Sequence, residues 1–427
     1  MSIIKKIIAR EILDSRGNPT IEAEVLLDSG FKAIASVPSG ASTGSHEAHE
    51  LRDNDAKRFN GLGCLKAVEN INQVIAKELT GMEASKQIDI DQRMIKLDGT
   101  LDKHNLGGNS MLAVSLACAR AAANQSGLEL YDYISKTYDF DIPTLPTPCF
   151  NIFNGGKHAD TNLDFQEFMI IPNKLSDKFK NNKKNIFFEM TRAGAEIFHE
   201  LGFILKKAGF DTDVGNEGGY APDIISSIQA IELIISAIIN AGYEPGKDIS
   251  LGIDVGSSAL YNKENGKYIF KLDRAQFTSN NLVGLYHEWF RKYPIIYLED
   301  GVAEDDWSGW HELTKMLGQE IMIVGDDLFV TNIKRLRQGL KEQVANSIII
   351  KPNQVGTLTE TVETIKLAQK HKYKIIISHR SGETCDDFIS DLSVASGAEY
   401  IKAGSLSRGE RLAKYNRLTK IEKILNI

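Results

Sequence analysis

The chain opens with apolar and polar positions in strand-like order. Residues 3–13 (IIKKIIAREIL) are rich in β-formers, residues 20–27 (TIEAEVLL) alternate apolar with polar, and residues 31–38 (FKAIASVP) form a third such run. The intervening DSRGNPT is turn chemistry, so the pattern predicts three strands. A loop of small residues, PSGASTGSHEA, follows. From Lys66 the pattern turns helical, in CLKAVENINQVIAKEL and then in the alanine-rich NSMLAVSLACARAAANQSG, which ends at a glycine. This predicts an α+β domain over residues 1–139. Near Asp141 the segment IPTLPTPCF carries Pro143, Pro146 and Pro148, and reads as an extended connector into a second domain over residues 140–427.

The second domain has a different rhythm. Six short apolar runs each end on a polar or charged residue: SLGIDV near Asp254, IIYLED at Glu299, IMIVGDD at Asp326, SIIIKPN at Lys351, YKIIISHRS at His379 to Ser381, and EYIKAGS at Lys402. The last four intervals between those ends are 27, 25, 28 and 23 residues, the length of one strand, one helix and two loops. Helical stretches such as VTNIKRLRQGLKE and TLTETVETIKLAQKH lie between them, and Ile228, Ile231, Ile235 and Ile238 mark one face of another helix. Repeated βα units predict a parallel sheet covered on both faces. Chemistry gathered at the strand ends favours an α/β, TIM-like barrel over a doubly wound sheet, which would usually show a glycine-rich phosphate loop after its first strand.

Composition narrows the class of function. The 427 residues are 42% hydrophobic and 25% charged, with a formal net charge of −7. That balance predicts a globular protein with no nucleic-acid site and no affinity for anionic membranes. No stretch reaches the roughly 18 to 20 apolar residues of a membrane span, and MSIIKKIIARE lacks the features of a signal peptide. Cys64, Cys118, Cys149 and Cys385 are widely spaced with no C-x-x-C, as in thiols of a reducing compartment. A cytoplasmic location is therefore expected.

The strand ends carry the candidate chemistry. Asp254, Glu299 and Asp326 are either solvated acids at loop starts or three oxygen ligands converging on a hard divalent cation, which points to Mg²⁺ rather than Zn²⁺. Asp300 and Asp327 are their supporting neighbours. Lys351 is either a structural ion-pair partner or a general base whose pKa nearby cations push down. Glu217, in VGNEGGYAP, is an acid presented from a tight glycine-bearing loop. His158 in NGGKHAD and Gln166-Glu167 in FQEFMIIP flank a further strand. His379, Arg380, Ser381 and Lys402 add groups able to grip a phosphate or carboxylate. The loop at residues 39–44 lacks the ending of a Walker motif and reads as a linker or a lid.

Taken together, AREILDSRGNPT, VPSGASTG, NGGKHAD, QEFMI, GNEGGYAP, LED with EDDW, VGDDLFVTN, KPNQVGTLTE, SHRSGET and IKAGSLSRGERLAKYNRL resemble the enolase family in its bacterial form, from Arg10 to Arg417. The resemblance implies an N-terminal capping domain and an enolase-type barrel that starts with two strands and then two helices. It implies reversible dehydration of 2-phosphoglycerate to phosphoenolpyruvate within glycolysis, with two Mg²⁺ per site. Asp254, Glu299 and Asp326 would hold the first ion and Ser42 would help hold the second. Lys351 would be the base and Glu217 the acid; Gln166, Arg380, Ser381 and Lys402 would contact substrate, with His158, Glu167 and His379 lining the site. A homodimer or higher homo-oligomer is also implied. Asn216 stands where the family usually has aspartate, residues 257–260 replace a stretch that commonly carries a glutamate, and Gly108-Asn109-Ser110 and Ala403 are smaller departures. Two alternatives accompany this reading. One is a paralogue acting on another phosphorylated or phosphonylated acid. The other is a secondary adhesin role, in which a surface or secreted fraction binds host plasminogen; relatives that do so often end in lysine, whereas this chain ends in Leu425-Asn426-Ile427 with Lys423 inside.

Overall fold

A computed structural model describes residues 3–40, 46–181 and 184–425. The N-terminal part is an antiparallel sheet in the order β1 (Ile4–Leu13), β2 (Pro19–Leu27), β3 (Lys32–Ser36), matching the three expected strands. In β2, Ile21, Ala23, Val25 and Leu27 are buried while Glu22 and Glu24 stand between them, as a half-buried strand requires. Asp14 closes the turn into β2 by accepting the backbone N–H groups of Arg16 (2.8 Å) and Asn18 (2.9 Å). The helix Gly108–Ser126 packs on this sheet and is buried along almost its whole length, because its alanines let the backbone approach closely. It ends at Gly127 in the left-handed conformation (φ 65°), with Leu128 N–H reaching back to the Ala123 carbonyl.

The second part is a closed eight-stranded barrel. Its strands are β4 (Thr147–Asn154), β5 (Glu167–Pro172), β6 (Ile249–Asp254), and, after a small separate sheet of β7 (Tyr261–Asn262), β8 (Lys267–Phe270) and β9 (Ala275–Phe277), β10 (Ile295–Glu299), β11 (Met322–Gly325), β12 (Ser347–Ile350), β13 (Lys374–Ser378) and β14 (Tyr400–Lys402). β5 pairs antiparallel with both β4 and β6, and every other barrel pairing is parallel. The helices Ile186–Lys207 and Ser227–Asn240 connect β5 to β6, so the barrel does start with two strands and two helices. The second half of the proline-rich connector is not a connector: Thr147 onward is β4, fully buried, with Pro148 beside Ile401 of β14.

Side-chain alternation along the strands positions the site. A compact cluster inside the barrel contains Cys149, Met169, Tyr297, Val324, Ile349 and Ile376. Two residues further toward one end, on the same face of each strand, stand Asn151, Glu167, Glu299, Asp326, Lys351 and Ser378. Because β5 runs backwards, its first residue reaches the end where the other strands present their last. Register confirms a shared level: Glu167 pairs with Asp254, Asp254 with Glu299, and Ser378 with Lys402.

The two parts meet through buried polar groups. Asp91, on the helix Gln87–Asp98, accepts the backbone N–H (2.9 Å) and hydroxyl (2.6 Å) of Thr359 at the start of the barrel helix Leu358–Lys370. Burial pushes the Asp91 carboxyl up to about 6. The Tyr138 hydroxyl meets the same Thr359 oxygen at 2.9 Å. Thr359→Val removes a partner from both Asp91 and Tyr138, and is expected to lower unfolding stability by about 1–3 kcal/mol in a denaturant titration. An unchanged unfolding midpoint and slope would show that this contact carries no net energy.

Candidate active site

Of the thirteen residues expected at the site, eleven line one narrow, polar cavity at the end of the barrel: His158, Gln166, Glu167, Glu217, Asp254, Asp326, Lys351, His379, Arg380, Ser381 and Lys402. Glu299 is fully buried behind it, and Ser42 lies outside the described residues. Lys402 is the hub. Its ammonium, 2% exposed as a residue, donates to both oxygens of Glu299 (2.9 Å each), to Asp254 (3.2 Å) and to Glu167 (3.3 Å). Tyr297, from the cluster below, donates its hydroxyl to Glu299 Oε2.

Lys351 pairs instead with Asp326, whose other oxygen accepts Gln354 Nε2 at 3.3 Å. Asp300, in the left-handed region at φ 43°, accepts the backbone N–H groups of Asp326 (3.0 Å) and Asp327 (2.9 Å). It thereby fixes the loop that follows β11 from the strand next door. Carboxylate oxygens of Asp300, Asp326 and Asp327 lie within 4.8 Å of one another. Asp326 thus lies beside Asp300 and Asp327 and pairs with Lys351, while Asp254 and Glu299 share the ammonium of Lys402.

These groups disturb one another strongly. Burial pushes Asp254 up to about 6 and Glu299 up to about 7, with Lys402 opposing in both cases. Burial and the charge of Asp326 push Asp327 up to about 7, and burial holds Asp300 well above the carboxylate range. For Lys402 burial favours the neutral amine, but Glu167, Glu299 and Asp254 outweigh it and hold the ammonium. At Lys351 burial favours the neutral amine here too, yet the Asp326 carboxylate prevails and raises its pKa. Five buried carboxyl groups at this end (Glu167, Asp254, Glu299, Asp300, Asp326), with the half-buried Asp327 beside them, face the ammonium groups of Lys351 and Lys402, and Glu167 Oε2 has no hydrogen-bond partner among the described residues. An all-oxygen donor set with surplus negative charge fits a hard divalent cation.

Glu217 forms the other side. Its Oε2 accepts Asn151 Nδ2 at 2.9 Å and its Oε1 accepts Ser381 Oγ at 3.1 Å. His158 Nδ1 lies 3.4 Å from Glu217 and 3.5 Å from Glu167; His379 Nε2 lies 3.7 Å from Glu217. Burial opposes charge on His158, but Glu217 and Glu167 push it up to about 10, while burial is outweighed at Glu217 by His158 and the carboxyl stays well below its usual range. The loop requires its glycines: Gly218 has φ +87° and a Cβ there would meet Ser407 Oγ at 2.7 Å. Gly256, at φ +58°, similarly leaves room for Gln166, whose Nε2 a Cβ would meet at 2.0 Å.

Several participants escaped the sequence reading. Glu47 pairs with Arg380 at 2.8 Å and Asn353 accepts from the same guanidinium nitrogen at 2.9 Å. Asn151 lies in none of the motifs, and Gln354 lies in KPNQVGTLTE without having been singled out. Asn151 was findable from the strand period, once β4 is recognised as a strand. Arg411, discussed below, lies in the tail motif but outside the cavity lining.

Comparison with family models agrees with this architecture in both parts. Residues 4–134 match the enolase N-terminal domain, and residues 142–426 match the enolase C-terminal TIM barrel domain. The two matches follow one another in chain order and cover nearly the whole sequence, on a fold that closes the expected barrel behind the expected sheet: the chain belongs to the enolase family.

Proposed function

We propose that this enolase-family lyase interconverts 2-phosphoglycerate and phosphoenolpyruvate, with Lys351 taking the C2 proton and Glu217 assisting loss of the hydroxyl. The observation that carries the reading is the joint presence in one cavity of a carboxylate cluster, a lysine paired with it, and a carboxyl set between two histidines. Asp254, Glu299 and Asp326 would hold Mg²⁺, which supplies positive charge to the substrate carboxylate and draws the charge of Asp326 away from Lys351. Burial, Arg380 and Lys402 then all favour the neutral amine that a base needs. Arg380 suits the phosphate: a bidentate anion can compete with Glu47 for its guanidinium. The same charges favour the proton on His158 and the ionised form of Glu217, so Glu217 must gain a proton before it can assist the departing hydroxyl, and His158 is the protonated group beside it.

Incubating the purified protein with 2-phosphoglycerate and Mg²⁺ should produce the absorbance of phosphoenolpyruvate. Its absence would reject the substrate and turn the search to other phosphorylated or phosphonylated acids. The two catalytic roles separate by isotope exchange. Lys351→Ala should lower both dehydration and exchange of the C2 proton with solvent deuterium by about 10²–10⁴-fold. Glu217→Gln should stop dehydration yet keep the exchange, followed by proton NMR in deuterated buffer. Exchange that survives only in Lys351→Ala would reverse the two assignments.

The buried acids also set a pH dependence. A carboxyl whose pKa the fold raises holds its proton longer in the folded chain than in the unfolded one. The stability it lends is complete below the ordinary carboxylate range and is lost as pH rises through the values of about 6 for Asp254 and about 7 for Glu299. Mg²⁺ binds the ionised forms. The rise in melting temperature on adding Mg²⁺ should therefore be larger near pH ~8 than near pH ~5.5. An equal rise at both would show that these carboxyls are not its ligands.

A further inference from the structure

Arg411 lies on the C-terminal helix Gly409–Leu425 and is 0% exposed. All four hydrogens of its terminal nitrogens are engaged. Nη1 donates to His379 Nδ1 at 2.6 Å and to the Arg380 carbonyl at 2.7 Å; Nη2 donates to the carbonyls of Asn216 at 2.9 Å and Ser381 at 2.7 Å. One guanidinium thus joins the segment 379–381 to the loop that presents Glu217.

We infer that Arg411 is a positioning residue that fixes His379 as the neutral Nε2–H tautomer and so keeps its single ring N–H on the side that faces Glu217. A guanidinium has only donors and does not lose its proton in proteins. The ring nitrogen it meets must offer a lone pair, so Nδ1 carries no hydrogen. The single ring hydrogen then sits on Nε2, which faces Glu217 Oε2 at 3.7 Å. An imidazolium would set an N–H against the guanidinium, and the backbone leaves little room to retreat, since His379 N–H is bound to the Lys402 carbonyl at 2.9 Å. Burial and the Arg411 charge both hold His379 well below the usual histidine range, with Glu217 pulling the other way.

The consequence is a division of labour between two histidines on one carboxyl. His158, whose Nδ1 has no hydrogen bond among the described residues and has two carboxylates beside it, is the one able to carry and pass a proton. His379 orients Glu217 without exchanging protons with it. That catalytic consequence rests on the proposed function; the tautomer does not, and is measured on the protein alone.

The test is long-range proton–nitrogen correlation NMR on the full chain labelled with ¹⁵N-histidine, with the His379 signals assigned by their loss in His379→Gln. The expected result is the Nε2–H pattern, unchanged from about pH 5.5 to 8.5. An Nδ1–H pattern, or titration within that range, overturns the inference. Arg411→Lys keeps an obligate donor and should keep the tautomer while loosening the carbonyl contacts. Arg411→Met removes the donor and should release His379 to a mixed or titrating state; an unaltered Nε2–H pattern in a folded Arg411→Met would show that Arg411 does not set it. Should the methionine variant fail to fold, the spectra of the native protein and of Arg411→Lys still decide. If the tautomer is found but 2-phosphoglycerate is not turned over, the proposed substrate fails and the role of Arg411 stands.

Discussion

Burial of charge at the barrel mouth is the constraint on which the rest of the structure depends. A carboxylate removed from water without a partner is too costly to keep ionised, and the chain gathers five buried carboxyl groups, with Asp327 half-buried beside them, where eight strands converge. Lys402 answers part of that charge from the last strand, and Lys351 answers part of it from β12. The rest appears as raised proton affinity at Asp254, Glu299, Asp300 and Asp327. A fold that sought only stability would fill this level with apolar side chains, as it does one layer below with Met169, Val324, Ile349 and Ile376. The contrast between adjacent layers marks where stability gives way to chemistry.

Polar groups also join the N-terminal part to the barrel. Asp91 with Thr359, Lys103 with Glu360, and Arg120 with Asp386 and Asp387 join the two through charged or buried polar groups. Such contacts demand defined geometry, unlike apolar ones that slide. Asp386 follows closely on the segment that carries His379, Arg380 and Ser381, so the helix bearing Arg120 also bears on the mouth.

Much of this was legible in the sequence because strand ends in a barrel converge wherever the helices between them lie. The runs ending at Asp254, Glu299, Asp326, Lys351, His379 and Lys402 became strands with their polar ends at one level, and the first three strands fell where alternation put them. The misses have physical causes. The helix Gln87–Asp98 buries Ile90 and Met94 but also turns Gln87, Asp91 and Asp98 inward and leaves Ile88 and Leu97 exposed, which blurs the pattern that signals a helix. The helix Leu130–Tyr138 is rich in tyrosine, a β-former, and β7 to β9 are only two to four residues long. β4 was hidden by prolines, although it is buried throughout. Electrostatics was the least legible layer: the pKa of Lys351 depends on which carboxylate its side chain reaches, and the contacts of Arg411 with carbonyl oxygens leave no mark in side-chain identity.

The reversed strand β5 sets how far this mouth tolerates changes in chain length. After each strand from β10 to β14 the chain leaves the mouth and departs into a helix, so an insertion can be absorbed outside. Between Asn154 and Glu167 the chain leaves the mouth and returns to it, carrying His158 on the way and ending on Gln166. Both ends of that connection are held in register, and its middle is tied by Gly155 N–H to the Gln166 carbonyl and by Gly156 N–H to the Leu163 carbonyl. A single added or deleted residue there shifts positions on two strands at once. The link from β6 to β10 is different: it already accommodates a sheet of its own, and there the architecture leaves room for a family to lengthen, shorten or decorate the loop without disturbing the acids beneath.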